Sequence, residues 1–211
     1  MAADSVKELK KQRGSYLIML DSGDSLRVPL AVFRALPLRE GEPVDIAAYR
    51  QAQLQAEYPL AMERAGRVLS QRDYSEQMLE RKLLEVGYLP QTCACVVERL
   101  RGLGYLDDAR YAQNLLERKK KRSGTRGIAQ QLRLKGIDKA VTEEVLAGFS
   151  AEEELAAACA QAQKYVTNKP WERRDACRRC IAFLSRRGYP YDVARAAAEK
   201  ATGEEAPDYE G

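Results

Sequence analysis

Between Tyr58 and Lys200 the apolar positions follow one pattern written three times. Each copy closes on a glycine and a large apolar residue: Gly87-Tyr88, Gly136-Ile137 and Gly188-Tyr189. The glycines are 49 and 52 residues apart (87 to 136, then 136 to 188), a period in the range of helical repeat arrays. Leu83, Leu132 and Leu184 stand four residues before the glycines, and Leu79, Ile128 and Cys180 eight before. That spacing lays one apolar stripe on a helix, and the glycine supplies the left-handed residue that ends it. A second periodic stretch follows each glycine, with Val96-Val97, Val145-Leu146 and Ala197-Ala198 nine and ten residues on. A third precedes each capped helix: Ala65, Val68 and Leu69, then Ala112, Leu115 and Leu116, then Leu155, Ala156, Cys159 and Ala162. Each copy is therefore a three-helix module, over 58–104, 105–149 and 150–203. The fold class this predicts is mainly α, three tandem three-helix repeats forming a curved elongated array.

Residues 1–57 read differently. SYLIML (Ser15 to Leu20) predicts a strand, Asp21 to Asp24 a turn, and SLRV (Ser25 to Val28) the return strand. Pro29 opens a short helix that Pro37 stops, and another helix begins near Asp45 and runs through AAYRQAQLQ. A lone hairpin is marginal in water, so this N-terminal β-hairpin and helix extension must pack on something. Residues 204–211 form an acidic tail.

Composition fits an ordinary globular chain of 211 residues, 45% hydrophobic and 31% charged. No apolar run approaches the roughly 20 residues of a membrane helix, and the first residues lack the apolar core of a signal peptide. Five cysteines and no such leader imply free thiols in a reducing compartment, so a cytoplasmic protein is expected. The chain has no histidine, which removes His-based nucleophile activation and the commonest zinc ligand. The net charge of +4 is unevenly spread: residues 1–57 sum to zero, 58–104 to +1, 105–149 to +4 and 160–200 to +6. Two basic islands in the second half suit a polyanionic partner, although a solvated helix face is the blander reading of any single run.

The residues that resemble chemistry are explained by the repeat. Cys177 and Cys180 have CxxC spacing, yet Cys180 holds the core position of Leu79 and Ile128, with Cys177 one turn before it. Cys93 lies three residues before Val96 and faces its own core, so core thiols are expected in place of a zinc site. Asp107-Asp108 precede a helix that they cap, and Gly124 to Gly127 lacks the ending of a phosphate loop and reads as a helix connection. No nucleophile–base pair and no nucleotide fingerprint occur, so neither a catalytic residue nor a cofactor is expected.

The basic side chains point away from the core. At about 100° per residue, Arg179 and Arg186 lie opposite the stripe of Cys177, Cys180, Ile181 and Leu184, with Arg178 on its flank. Arg126 and Arg133 point outward from Ile128 and Leu132, and Arg118, Lys119, Lys120, Lys121 and Arg122 close the helix before them. These ten residues form the expected contact surface. Few aromatic residues accompany them, so phosphate or acidic protein is a better match than base readout.

GYLDDARYA (Gly104 to Ala112) followed by QLRLKGI (Gln131 to Ile137) resembles the central pattern of RecX, the bacterial regulator of the RecA recombinase. LSQRDYSEQMLERKLLEVGY (Leu69 to Tyr88) is similar to that family's first repeat. The resemblance implies tandem three-helix repeats and no enzymatic activity. It also implies a monomer that binds the RecA–DNA filament, with weak affinity for single- or double-stranded DNA. Inhibition of recombinase, ATPase and coprotease functions would follow from lodging in the filament groove and blocking extension or promoting disassembly. Two other readings stay open at this point: a helical array whose partner is nucleic acid alone, and an enzyme with a thiol or zinc centre.

Overall fold

The structure, a computed structural model, describes residues 4–167, 169 and 171–204. The acidic tail beyond Glu204 lies outside the described residues. The chain divides into two compact units at Asp107/Asp108.

In the first unit, strands β1 (Asp4–Gln12), β2 (Ser15–Leu20), β3 (Ser25–Pro29) and β4 (Pro43–Val44) form an antiparallel sheet in the order β3-β2-β1-β4. The hairpin of β2 and β3 stands where the sequence predicts it, followed by α1 (Leu30–Ala35). β1 and β4 are additions. The apolar residues of β1, Val6 and Leu9, are spaced by three, which hides a strand whose period should be two. A bulge between Val6 and Glu8 absorbs the extra residue. Val6, Ile18, Leu20, Leu26, Val28 and Val32 join Ala61, Ala65, Leu79 and Leu83 in one core. The hairpin is stable because it shares that core.

Three helices complete the unit: α2 (Ile46–Leu69), α3 (Glu76–Val86) and α4 (Pro90–Gly102). Asp45 caps α2 by accepting from the Ala47 and Ala48 N–H groups at 2.9 and 3.0 Å. The two helices predicted here on either side of Pro59 are one. The proline stands on the exposed face, so the carbonyl it cannot bond is left toward water. The opposite face carries an unbroken buried stripe of Tyr49, Gln53, Glu57, Ala61, Ala65 and Val68. Glu57 is fully buried and accepts from the Gln53 amide at 2.6 Å and from the Leu89 N–H, at the start of α4, at 2.9 Å.

The second unit has α5 (Asp108–Lys119), α6 (Thr125–Leu134) and α7 (Lys139–Ala147), then α8 (Ala151–Val166), α9 (Arg173–Arg186) and α10 (Tyr191–Thr202). α5 to α7 bury Tyr111, Ala112, Leu115, Leu116, Ile128, Leu132 and Ile137. α8 to α10 close on a smaller core of Ala158, Ala162, Cys177, Cys180, Ile181, Leu184, Tyr189 and three alanines of α10. Here the sequence reading of α8 holds in part, with Ala162 fully buried as expected. Ala156 is exposed, Ala158 is buried, and Leu155 and Cys159 are only half-buried. In an alanine-rich helix several faces are equally apolar, so periodicity alone does not choose between them.

The repeat itself is realised atom for atom. Tyr88, Ile137 and Tyr189 donate their N–H to the carbonyls of Leu83, Leu132 and Leu184 at 3.4, 3.1 and 3.2 Å. Gly87, Gly136 and Gly188 donate to Leu84, Arg133 and Ser185 at 2.9, 3.0 and 2.9 Å, each glycine at positive φ. This is the Schellman closure, in which the residue after the glycine folds back over the helix end as an apolar plug. All three leucines are fully buried, and the three plugs nearly so.

Candidate functional site

The second unit holds an open cleft of about 650 Å³ among α5, α6 and the junction of α9 with α10. Its floor is built by backbone contact. The Gly124 N–H donates to the Arg187 carbonyl and the Gly127 N–H to the Gly188 carbonyl, both at 3.2 Å. A Cβ on Gly124 would overlap the Tyr189 backbone, and one on Gly188 would overlap Gly127. Gly124 to Gly127 is therefore more than a connection: Gly124 caps α6 and the next three residues form its first turn. Glu154, buried on α8, accepts from the Thr125 N–H at 2.7 Å and its hydroxyl at 3.0 Å, holding the start of α6 in place. Gln161 of α8 donates to the Lys121 carbonyl at 3.0 Å. Arg187 donates to the Gln161 side-chain oxygen at 2.7 Å and to the Arg122 carbonyl at 3.3 Å, with its guanidinium over the Phe183 ring.

This frame sorts the ten basic residues. Lys119, Arg122, Arg126 and Arg186 line the cleft together with Arg187. Arg126 also borders a second hollow of about 560 Å³ with Arg133 and Lys139, across α6 from the first. Arg178 and Arg179 are elsewhere on α9. Both pair with Asp175, at 2.9 and 2.6 Å, and Arg179 lies over Trp171. The two guanidiniums hold the Asp175 carboxyl below its ordinary range, chiefly through the hydrogen bond from Arg179. Lys120 is bonded to Glu117 at 2.9 Å, which raises its pKa. Arg118 and Lys121 are exposed but line neither hollow.

Two features at the cleft escape sequence reasoning. Arg187 reads as a helix-end cation, and only the fold turns it into the cleft wall. Tyr191 lines the cleft at 44% exposure, so an aromatic ring does accompany the basic residues. It belongs to the sequence of the third repeat and comes beside α6 where Gly124 and Gly127 meet the backbone of Arg187 to Tyr189.

The cysteines follow their core positions. Cys93, Cys177 and Cys180 are fully buried, Cys159 half-buried and Cys95 exposed. Burial pushes the Cys93 thiol up to about 12 and Cys180 to about 11, and raises Cys177 as well. The thiolate is the nucleophile, so these three stay unreactive near neutral pH. Native protein treated with iodoacetamide at about pH 8 is expected to alkylate Cys95 first, with Cys93 and Cys180 labelled only on unfolding. Peptide mass mapping over time checks this, and equal labelling rates would contradict the burial. Among the described residues no cluster of three or more metal-ligating side chains occurs. No described helix is long and apolar enough to cross a membrane.

Known proteins share the three-helix domains and the fold. Models of the first, second and third three-helix domains of RecX match residues 61–100, 107–146 and 152–207. The regulatory protein RecX of Halorhodospira halophila is 33% identical over 138 residues, which is 65% of this chain and 85% of that one. That of Bacillus subtilis is 28% identical over 204 residues, covering 95% and 77%. In structure, the chain resembles a crystallised regulatory protein RecX with a TM-score of 0.62 at 24% identity, over 97% of this chain and all of that one. RecX from Lactobacillus salivarius gives 0.63 at 18% identity, over 70% and 97%. Those two likenesses concern the fold, whereas the domain matches run in order along the sequence through each glycine-closed helix, and on that ground the chain belongs to the RecX family.

Proposed function

We propose that the chain regulates RecA by binding the RecA–DNA filament and limiting its recombinase, ATPase and coprotease activities, without catalysis of its own. It would act as a monomer in the cytoplasm, and bare single- or double-stranded DNA would be a weaker partner. The observation that carries the reading is the α5–α6–α10 cleft of a RecX-family chain, where Lys119, Arg122, Arg126, Arg186 and Arg187 converge. A filament presents both phosphates and acidic protein surface, and either is recognised by arginine forks. The exposed ring of Tyr191 adds a flat apolar face for an unstacked base or a protein side chain. Arg133, Arg178 and Arg179 would make outlying contacts, with Asp175 holding the last two in a fixed pose.

Arg122 and Arg126 are exposed, so their reversal should leave the fold intact. In a RecA DNA-dependent ATP hydrolysis assay, the Arg122→Glu/Arg126→Glu protein is expected to need about ten-fold more inhibitor, a loss of about 1.4 kcal/mol of binding. Melting temperatures matched to wild type validate the comparison. Undiminished inhibition by the folded variant would remove the cleft from the interface. Undiminished binding to bare DNA beside lost inhibition would place the filament protein, and not its phosphates, in the cleft.

A further inference from the structure

The first unit contains a basic hollow that its sequence conceals. Residues 1–57 are neutral and 58–104 carry only +1. Yet Arg13, Arg34, Arg64, Arg67 and Lys82 line one cleft of about 540 Å³, with Glu85 as the only acidic wall residue among the described residues. They come from four places: the β1–β2 turn, α1, α2 and α3. We propose that this cleft is a phosphate-binding site, whose ligand is the backbone of a nucleic acid or a free polyphosphate. It is separate from the surface proposed above and does not depend on RecA.

Three observations carry the assignment. First, the cations are not consumed internally. Among the described residues no ion pair involves Arg13, Arg34 or Arg64, while Arg67 and Lys82 make only loose, exposed pairs with Glu63 and Glu85 at 3.4 and 3.5 Å. The Arg64 Nε is buried without a hydrogen-bond partner, which leaves a desolvated donor unspent beside the hollow. Grouping like charges around one hollow costs repulsion and contributes nothing to folding, so an anion is what would offset it. Second, the donors approach from several sides. A phosphate group offers acceptor oxygens in three dimensions, whereas the two oxygens of a carboxylate accept within one plane. Third, the remaining walls are Gly14, Pro29, Leu30, Ala31, Val86 and the nearly buried Tyr88, with no exposed aromatic ring for a base among the described residues that line it. The site would therefore read the backbone and be indifferent to sequence. The hollow falls within the size range of pockets that enclose small ligands, so a short polyphosphate would also be accommodated.

Arg13 and Arg34 are both exposed, so they can be reversed without touching the core. The experiment uses the full chain, a fluorescein-labelled oligothymidine followed by anisotropy, and inorganic tripolyphosphate followed by calorimetry. The Arg13→Glu/Arg34→Glu protein is expected to bind the oligonucleotide roughly ten-fold more weakly at low salt, with its log–log salt slope reduced by about 1.4, from about 0.7 for each of two lost phosphate contacts. The Arg13→Gln/Arg34→Gln protein should fall between this and wild type, a gradation that misfolding would not produce. Arg122→Glu/Arg126→Glu serves as the reference for losses in the other unit. If only tripolyphosphate binding is weakened, the phosphate site stands and its ligand is a free polyphosphate. If both probes bind the variants as they bind wild type, the assignment is wrong.

Discussion

Gly188→Ala is expected to destabilise the second unit by roughly 2–5 kcal/mol, adding an overpacking cost of about 1–3 kcal/mol to a left-handed backbone penalty of about 1–2 kcal/mol. Gly188 adopts φ +81°, and an added Cβ would strike the backbone of Gly127, which has no side chain to yield. The comparison that isolates the steric part is Gly203→Ala. Gly203 also has positive φ, at +70°, but nothing lies within 4 Å of the Cβ it would gain. That variant should lose only the backbone share. The chain's single tryptophan, Trp171, lies against Tyr165 in the third repeat, so its fluorescence during urea unfolding reads this unit directly. Equal losses for the two variants would mean that α6 does not meet the α9–α10 junction backbone to backbone. Because the same junction floors the basic cleft, Gly188→Ala should also weaken whatever binds there.

Replacing Leu83, Leu132 or Leu184 by alanine should cost about 2–5 kcal/mol each, a large share of the roughly 5–15 kcal/mol that holds a typical domain. Each leucine is completely buried and lies at the centre of its three-helix module. Each also lends its carbonyl to the closing turn, so the surrounding backbone is pinned and cannot collapse into the cavity. Leu184→Ala should lie toward the upper end. Apart from Ile181 and Tyr189, the buried core around it is made of Ala158, Ala162, Cys177, Cys180 and the α10 alanines, and small side chains have few ways to refill the space. Urea denaturation of the three variants checks the order. A loss below about 1 kcal/mol at any of the three would deny that site its place in the repeat.

The two clefts have different standing in the sequence. The second-unit cleft was partly legible because Arg118 to Arg122 form a run and Arg126, Arg133 and Arg186 sit opposite apolar stripes. Helical periodicity carries that information within one element. It does not say which elements meet, so Arg187 and Tyr191 join the site only when α9 and α10 pack on α6. Arg178 and Arg179 share a helix with Arg186, yet stand about 10 Å or more along its axis from it, where Asp175 engages them. The first-unit hollow left no local trace. Its five cations are spread between positions 13 and 82, a stretch with ten basic and ten acidic residues, so net charge averaged along the chain cancels.

The same division applies to the fold. What the sequence determines by itself is local: the caps, the turns and the stripes. Asp45 starts a helix because its carboxylate reaches free N–H groups two and three residues on, and Gly87, Gly136 and Gly188 end theirs because only glycine takes the left-handed turn at no cost. The β2–β3 hairpin follows from its alternating strands and the turn residues between them. Tertiary structure decides wherever a local signal is absent or misleading. The bulge makes a strand of β1 although its apolar residues are three apart, because β2 and β4 supply partners on both sides. Pro59 fails to end α2, since the buried stripe passes it on the opposite face and packing outweighs one missing hydrogen bond. The face that α8 buries is chosen by α9 and α10, because its alanines alone mark no single one. Gly124 and Gly127 read as a helix connection and Gly188 as a helix end in the sequence, and only the fold brings them together, because their missing side chains let two helix ends meet through their backbones.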